Sequence, residues 1–135
     1  MNTVRFGTNL EFARFVLPVG IPRDGWIEAR VEISVEGFRG EISPNFEVYD
    51  LRRLLEQLRA LYSSLNGSAV FRPREEQLTL EFSADRLGHI QVAGIAWSRA
   101  TLGNRLEFAL EFDQSFLSAS IDQLDGALQS GGNDA

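Results

Sequence analysis

The chain has 135 residues, 44% of them hydrophobic and 24% charged, which is the size and composition of a single globular domain. It contains no cysteine, which excludes disulfides, thiolate metal sites and a cysteine nucleophile. The formal net charge of −6 repels phosphate backbones, so the composition argues against nucleic-acid binding.

The acidic charge is concentrated in the second part of the chain. Residues 1–74 hold 10 Arg and 9 Asp plus Glu, whereas residues 75–135 hold 3 Arg and 10 Asp plus Glu. A surface of this kind attracts a basic partner, although acidity that only keeps the protein soluble is the simpler interpretation. No N-terminal apolar stretch has signal-peptide length, and the longest uncharged apolar run, residues 15–21, is too short to span a membrane. We therefore expect a soluble, cytoplasmic protein that does not bind a membrane.

The first half of the chain is predicted to be mainly strands. Residues 4–6 and 10–17 are short strand candidates, followed by a loop that Pro and Gly keep irregular. From Ile27 to Glu36 apolar residues alternate with charged or polar ones, which predicts a strand with one buried and one wet face. A weaker strand follows Gly37.

Residues 50–65 are predicted to form the long helix. Apolar residues recur at steps of three and four and form one stripe: Leu51, Leu54, Leu55, Leu58, Leu61, Tyr62 and Leu65. Asp50 is the predicted N-cap, and Asn66-Gly67 is the predicted stop. The opposite face carries Arg52, Arg53 and Arg59, which form either a partner surface or, more simply, a solvated helix face.

The second half predicts four more strands, at residues 68–72, 77–83, 89–97 and 104–112, with turns at Pro73, Gly88 and Gly103. Gly94 interrupts the third of these strands and predicts a bulge. A second helix follows at residues 115–128, capped by Asp113 or Ser115. Residues 130–135 are predicted to be a flexible C-terminal tail, which leaves residues 1–129 as one domain.

Sequential strands with short turns favour antiparallel pairing. We therefore predict an α+β fold with a single antiparallel sheet of about six to eight strands. One long helix is expected to pack on one face of that sheet, with the C-terminal helix beside it.

The residues offer little catalytic chemistry. His89 is the only histidine, it lies beside a turn, and no G-x-S-x-G motif is present to hold a nucleophile. Glu107 and Glu111 share one face of a strand but lie about 13 Å apart, beyond the roughly 6.5–9.5 Å of a carboxylate pair in an inverting glycosidase. We predict a protein that is not an enzyme and needs no metal or other cofactor.

Four segments resemble one family of small bacterial proteins. They are the D-L-x-x-L-L-x-x-L helix of residues 50–58, the L-x-L-x-F strand of residues 78–82, the turn of residues 84–89 and the strand-to-helix step of residues 111–117. The likeness covers most of residues 26–128 and is to the WapI-like bacterial immunity proteins, with related bacterial domains of unknown function. The resemblance implies a cytoplasmic protein that binds and neutralises a cognate secreted toxin without catalysis. The alternative is a structural or homo-oligomeric binding domain that has no toxin partner.

Carboxylates on the wet faces of the predicted strands suggest where a partner would bind. If strands 27–35, 77–83 and 104–112 share one sheet, six of them form a broad acidic patch: Glu28, Glu32, Glu36, Glu81, Glu107 and Glu111. Like charges beside one another destabilise a sheet mildly, and a basic partner relieves this. We therefore predict that Glu81, Glu107 and Glu111 bind the partner. The alternative is that Arg30 and Arg105 neutralise them within an ordinary solvated face.

Overall fold

The computed structural model describes residues 2–132, with side chains described to residue 129. In each half of the chain a four-stranded antiparallel meander is followed by an α-helix, and the first half adds two short strands. The strands are β1 (Asn2–Gly7), β2 (Phe12–Leu17), β3 (Trp26–Glu28), β4 (Arg30–Val35), β5 (Phe38–Ile42), β6 (Asn45–Glu47), β7 (Ser68–Phe71), β8 (Leu78–Ala84), β9 (His89–Arg99) and β10 (Leu102–Asp113). The helices are α1 (Val48–Ser64) and α2 (Gln114–Gly132).

The α+β class and the antiparallel pairing are confirmed, but the prediction of a single sheet is wrong. The first sheet has the order β1-β2-β4-β5, the second sheet has the order β10-β9-β8-β7, and β3 pairs with β6 in a third, two-stranded sheet. Every pairing is antiparallel. The described strands are therefore divided into sheets of four, two and four.

The division begins at Ala29, in the middle of the predicted strand 27–35. The residues before it form β3 and pair with β6, whereas the residues after it form β4 and pair with β2 and β5. The backbone N–H of Ala29 donates to the carbonyl of Pro44 at 3.0 Å, so the chain passes from one sheet into another at this residue. The long helix α1 then separates the two meanders along the chain, and the second meander forms a sheet of its own.

Phenylalanine rings join the three sheets in the core. Phe6 of the first sheet packs edge-on against Phe82 of the second, with ring centroids 5.3 Å apart, and Phe15 and Phe71 do the same at 5.6 Å. Phe46, on β6, lies 4.9 Å from Phe71 and 5.5 Å from Phe15. Because each large sheet covers the apolar face of the other, the wet faces of the two sheets point away from a shared core.

The leucine stripe of α1 is buried, as predicted. Five leucines have 7% or less of their surface exposed: Leu51, Leu54, Leu55, Leu58 and Leu61. Tyr62, which was assigned to the same stripe, is 40% exposed and marks where the helix leaves the core.

Each helix also covers the free edge of a sheet. The Gln57 side chain of α1 accepts from the backbone N–H of Val70 at 3.0 Å and donates to its carbonyl at 3.1 Å, which occupies the outer edge of β7. On the other side, the Gln123 side chain of α2 accepts from the N–H of Arg5 at 2.8 Å, and the Ser120 hydroxyl donates to the carbonyl of Arg5. Edge backbone groups that would otherwise be open to another chain are thereby satisfied.

Acidic residues cap both helices, though one of them not as predicted. α1 begins two residues earlier than expected, with Glu47 as its N-cap, so the prediction of Asp50 as N-cap is wrong. Asp50 is the third helical residue, and its carboxylate accepts from the N–H of Glu47 at 3.0 Å in a capping box. At α2 the Asp113 carboxylate accepts from the N–H of Ser115 at 3.0 Å, which confirms Asp113 as the cap.

Gly94 does not form the predicted bulge. It pairs in regular register with Leu80 on one side and Phe108 on the other, and the irregular pairing lies instead between Leu102 and Arg105. A Cβ atom at Gly94 would lie 2.6 and 2.7 Å from two carbons of the Phe108 ring. The glycine is therefore required by the close approach of that ring and not by a break in the strand.

At the C-terminus α2 continues to Gly132, four residues beyond the predicted end at residue 128. The last part of the predicted tail, residues 133–135, lies outside the described residues.

Replacing Leu58 by alanine tests the packing of α1. Leu58 is fully buried, so Leu58→Ala is expected to lower the free energy of unfolding by about 2–5 kcal/mol in urea denaturation. Arg52→Ala, at an exposed position of the same helix, is the control and is expected to change it by less than about 0.5 kcal/mol. Equal effects of the two substitutions would contradict the position of α1 in the core.

A pH-dependent prediction concerns the cap of α2. The N–H of Ser115 holds the pKa of Asp113 below its usual value of 3.8, so the charged carboxylate stabilises the fold above that value. The stabilisation is lost as the pH falls through the lower pKa of the folded state.

Asp113→Asn is therefore expected to be less stable than the parent at about pH 7, and the difference in the free energy of unfolding should shrink as the pH falls below about 4. Urea denaturation across this range measures it, with Asp122→Asn, an exposed carboxylate of the same helix, as the control. A difference that stays constant at acid pH would contradict the role of the charge.

Candidate partner-binding face

The outer face of the second sheet carries the three glutamates that the sequence predicted as a binding site. Along β10, Phe108, Leu110 and Phe112 point into the core, and the residues between them, Glu107 and Glu111 among them, are exposed. On β8 Glu81 is exposed between the buried Leu80 and Phe82. Strict alternation, which was visible in the sequence, therefore places all three carboxylates on one face.

Register fixes where these carboxylates lie relative to one another. Glu81 on β8 pairs with Ala93 on β9, and Ala93 pairs in turn with Ala109 on β10, so the three residues form one row across the sheet. Glu107 and Glu111 lie two residues to either side of Ala109. From strand spacing and rise, Glu81 is about 12 Å from each of them at Cα, and they are about 13 Å from each other. The three carboxylates are spread over a surface and do not form a close pair.

Two small residues make a hollow in this face. Ala93 and Ala109 lie side by side where larger side chains would fill the surface, and a depression of about 590 Å³ opens over them. The polar residues that line this depression are Glu11, Glu81, Ser83, Gln91 and Glu111. We call this the acidic depression.

Glu11 belongs to the acidic depression, although no pattern in the sequence predicted it. It lies in the connection between β1 and β2, outside any alternating pattern, and comes to the second sheet only because the two sheets pack together. One oxygen of its carboxylate accepts from the backbone N–H of Glu36 at 3.2 Å. Within residues 2–129, no arginine lies within ion-pair distance of Glu11, Glu81 or Glu111.

Glu107 is in a different electrostatic position. Its carboxylate forms an ion pair with Arg105 at 2.5 Å, as the alternative interpretation of this face expected. It lines a smaller neighbouring depression of about 260 Å³, which it shares with Glu81, Thr79, Ile95 and Arg72. Glu81 and Glu111 thus line the acidic depression with Glu11, whereas Glu107 lines only the smaller depression, which it shares with Glu81.

The broader acidic patch predicted from the sequence is not formed, because the strands belong to different sheets. Glu32 lies on the first sheet, where Arg14 bonds it and lowers its pKa and where Arg30 is 3.5 Å away. Arg30 also pairs with Glu41 at 3.4 Å, so it neutralises the first sheet and not the second. Glu28 lies on β3, in the two-stranded sheet. Three glutamates of the predicted patch lie outside the second sheet. Of these, only Glu36 approaches the acidic depression, because its backbone N–H donates to the Glu11 carboxylate.

His89 has a local structural partner. Its Nδ1 atom lies 3.0 Å from the Asp85 carboxylate, and its backbone N–H donates to the same side chain at 3.1 Å. These bonds, the backbone one most strongly, hold the pKa of Asp85 below its usual value. They close the turn between β8 and β9, which is the position that the sequence suggested.

The geometry disperses the carboxylates over the face. Glu81 lies about 12 Å from Glu107 and from Glu111 at Cα. In the part of the chain that the structure describes, no three acidic or histidine side chains are grouped to hold a metal ion. Neither helix within residues 2–132 has the length of apolar sequence that crossing a bilayer requires.

Comparison with known proteins identifies a family. The model of the immunity protein WapI-like family matches residues 8–130, which include every described strand except β1 and nearly all of α2. No curated protein sequence matches the chain. Among solved structures it is similar to Trypanosoma bruciei MRP1/MRP2, with a TM-score of 0.49 and 11% sequence identity over 95% of this chain and 81% of that one. A similarity at that level carries no argument about function.

Proposed function

The chain belongs to the WapI-like immunity protein family, and from this premise we propose that it neutralises a cognate bacterial toxin by binding it with the acidic depression. Binding is non-catalytic and takes place in the cytoplasm, where the toxin would otherwise act. Glu11, Glu81 and Glu111 are the principal contacts. Glu107 lies at the margin, since Arg105 already neutralises it.

The observation that supports this site is a set of carboxylates without ion pairs around a hollow. A carboxylate without an ion pair is stabilised by a positively charged partner, and the fields of the three charges together attract such a partner to this face. The alanine floor leaves room for a side chain from outside to lie between the carboxylates. A basic side chain of the toxin fits this arrangement in both charge and shape.

The charge of the face also suggests how neutralisation would work. A toxin that acts on nucleic acid needs a basic cleft to hold the phosphate backbone. An acidic surface is steered toward such a cleft by the electrostatic field and then blocks the substrate from entering. Rapid capture matters for an immunity protein, because it has to reach the toxin before the toxin reaches its target.

We predict that removing three charges from the depression slows toxin capture. The test compares the parent with a Glu11→Gln, Glu81→Gln, Glu111→Gln variant in stopped-flow association with the cognate toxin. At low salt the association rate constant is expected to fall by about 10-fold or more, and its dependence on salt should flatten. Gln keeps the size of Glu, so the change reports the charge.

The control variant removes the same number of charges elsewhere. Its substitutions are Glu41→Gln, Glu56→Gln and Asp122→Asn, at exposed positions on the first sheet and the two helices. This variant is expected to keep most of the parental rate. Equal slowing in both variants would show that net charge acts without a specific site. No binding of the parent to the toxin would contradict the immunity function and favour a structural or homo-oligomeric domain.

A further inference from the structure

The two tryptophans of the chain stand in contrasting surroundings. Trp97, on β9, has the guanidinium of Arg105 over its ring, 5.7 Å from the ring centroid, and the Glu107 carboxylate holds that guanidinium at 2.5 Å. On the second sheet, the indole ring of Trp97 therefore has a guanidinium over its face, and a carboxylate is paired with that guanidinium. Such contacts are favourable because the face of the indole ring attracts a cation.

Trp26, at the start of β3, has carboxylates near it, but no described arginine lies over its ring. It lines a groove of about 550 Å³ and is 37% exposed. The other lining residues are Pro18, Pro22, Asp24, Glu28, Asn45 and Glu75. We call this the Trp26 groove. In the described part of the chain, no arginine lies over the Trp26 ring and none pairs with Asp24, Glu28 or Glu75.

Two arginines adjoin lining residues of the groove along the chain. Arg23, between Pro22 and Asp24, forms no ion pair with a described residue and does not line the groove. Arg74, beside Glu75, forms an ion pair with Glu47 at 3.4 Å, and Glu47 is the residue paired with Trp26 across the two-stranded sheet. Neither arginine lines the groove, so neither places a cation against the Trp26 ring. Its walls combine an apolar surface, two proline rings and an indole, with negative charge on the rim.

The groove is held in shape by backbone bonds. The N–H of Trp26 donates to the Asp24 carboxylate at 3.0 Å, and the N–H of Gly25 donates to the carbonyl of Pro22 at 3.0 Å. The carbonyl of Gly25 in turn accepts from the N–H of Val48 at 2.8 Å, which ties the loop to the first residue of α1. A site formed before binding loses less conformational freedom when it is occupied.

We propose that the Trp26 groove is a second docking site, which accepts an arginine side chain of a basic protein partner. The guanidinium stacks on the indole ring while Glu28 and Glu75 receive its N–H groups, and the aliphatic stem lies against the prolines. Arginine fits better than lysine because its flat, delocalised head can stack and bond to a carboxylate at once. A half-exposed tryptophan in a groove is also a typical energetic centre of a protein interface.

The proposal is independent of the acidic depression. The two sites share no lining residue, and the Trp26 groove is built from the two-stranded sheet, the loop before it and the turn that follows β7. A short basic peptide is therefore a sufficient probe, and the toxin is not needed. Failure of one proposal leaves the other standing.

The experiment follows the fluorescence of Trp26 during titration with a triarginine peptide. A Trp97→Phe background leaves Trp26 as the only tryptophan of the two in the sequence. Saturable change in emission is expected with triarginine and none with tricitrulline, which has nearly the same shape but no charge. Trilysine is expected to bind more weakly. If Trp97→Phe does not fold, the emission change caused by triarginine is compared between the parent chain and Trp26→Phe. The part of the change that Trp26→Phe loses is then the part that comes from Trp26.

Substituting the glutamates at the rim of the groove distinguishes binding at this site from a general attraction of the peptide to an acidic protein. Glu28→Gln with Glu75→Gln is expected to weaken triarginine binding by about 10-fold, because charge-assisted hydrogen bonds to the guanidinium are lost. Glu56→Gln with Asp122→Asn removes the same charge from the helices and should leave the affinity within about 2-fold. Equal responses to triarginine and tricitrulline, or equal weakening in the two double variants, would overturn the proposal.

Discussion

Five phenylalanine rings hold this fold together, and the position of every exposed site follows from them. Phe6 and Phe15 come from the first sheet, Phe71 and Phe82 from the second, and Phe46 from the two-stranded sheet, with neighbouring ring centroids 4.9–5.6 Å apart. Phe15 and Phe46 are stacked, and the other four ring pairs pack edge-to-face. Both arrangements are directional, so they fix the angle between the sheets as well as their distance. Because both apolar faces are used in this contact, both wet faces are left to the solvent.

The helices complete the fold by crossing between its halves. α1 follows the first meander but bonds the edge of β7 in the second sheet, and α2 follows the second meander but bonds the edge of β1 in the first. Arg59 of α1 also pairs with Asp125 of α2 at 3.2 Å. Each half of the chain thus protects a sheet edge of the other half, and neither helix lies over the outer face that carries the acidic depression. The arrangement stabilises the fold without covering the candidate site.

What the sequence could predict was local, and what it could not predict depended on distant contacts. A period of two placed Glu81, Glu107 and Glu111 on a wet face, and steps of three and four placed the leucines of α1 in the core, because burial on one side of an element leaves that pattern. The division into sheets was not visible, since one run of alternating residues can change partners at a single residue, as happens at Ala29. The inclusion of Glu11 was equally hidden, because a loop residue joins the depression only through the packing of the sheets.

The division into sheets also decides which carboxylates have an arginine within reach. The first 74 residues are nearly neutral overall, and the glutamates of the first sheet find arginines of their own: Glu32 with Arg14 and Arg30, Glu41 with Arg30. The second meander, residues 68–113, holds 5 Arg and 7 Asp plus Glu, the same numbers as residues 1–47. It forms a sheet of its own, however, in which Glu81 and Glu111 form no ion pair with a described residue. A single mixed sheet would have brought both groups onto one face and allowed the arginines to neutralise it. Separate sheets keep the arginines of the first sheet away from Glu81 and Glu111, and in our proposal this leaves those two carboxylates available to a basic partner.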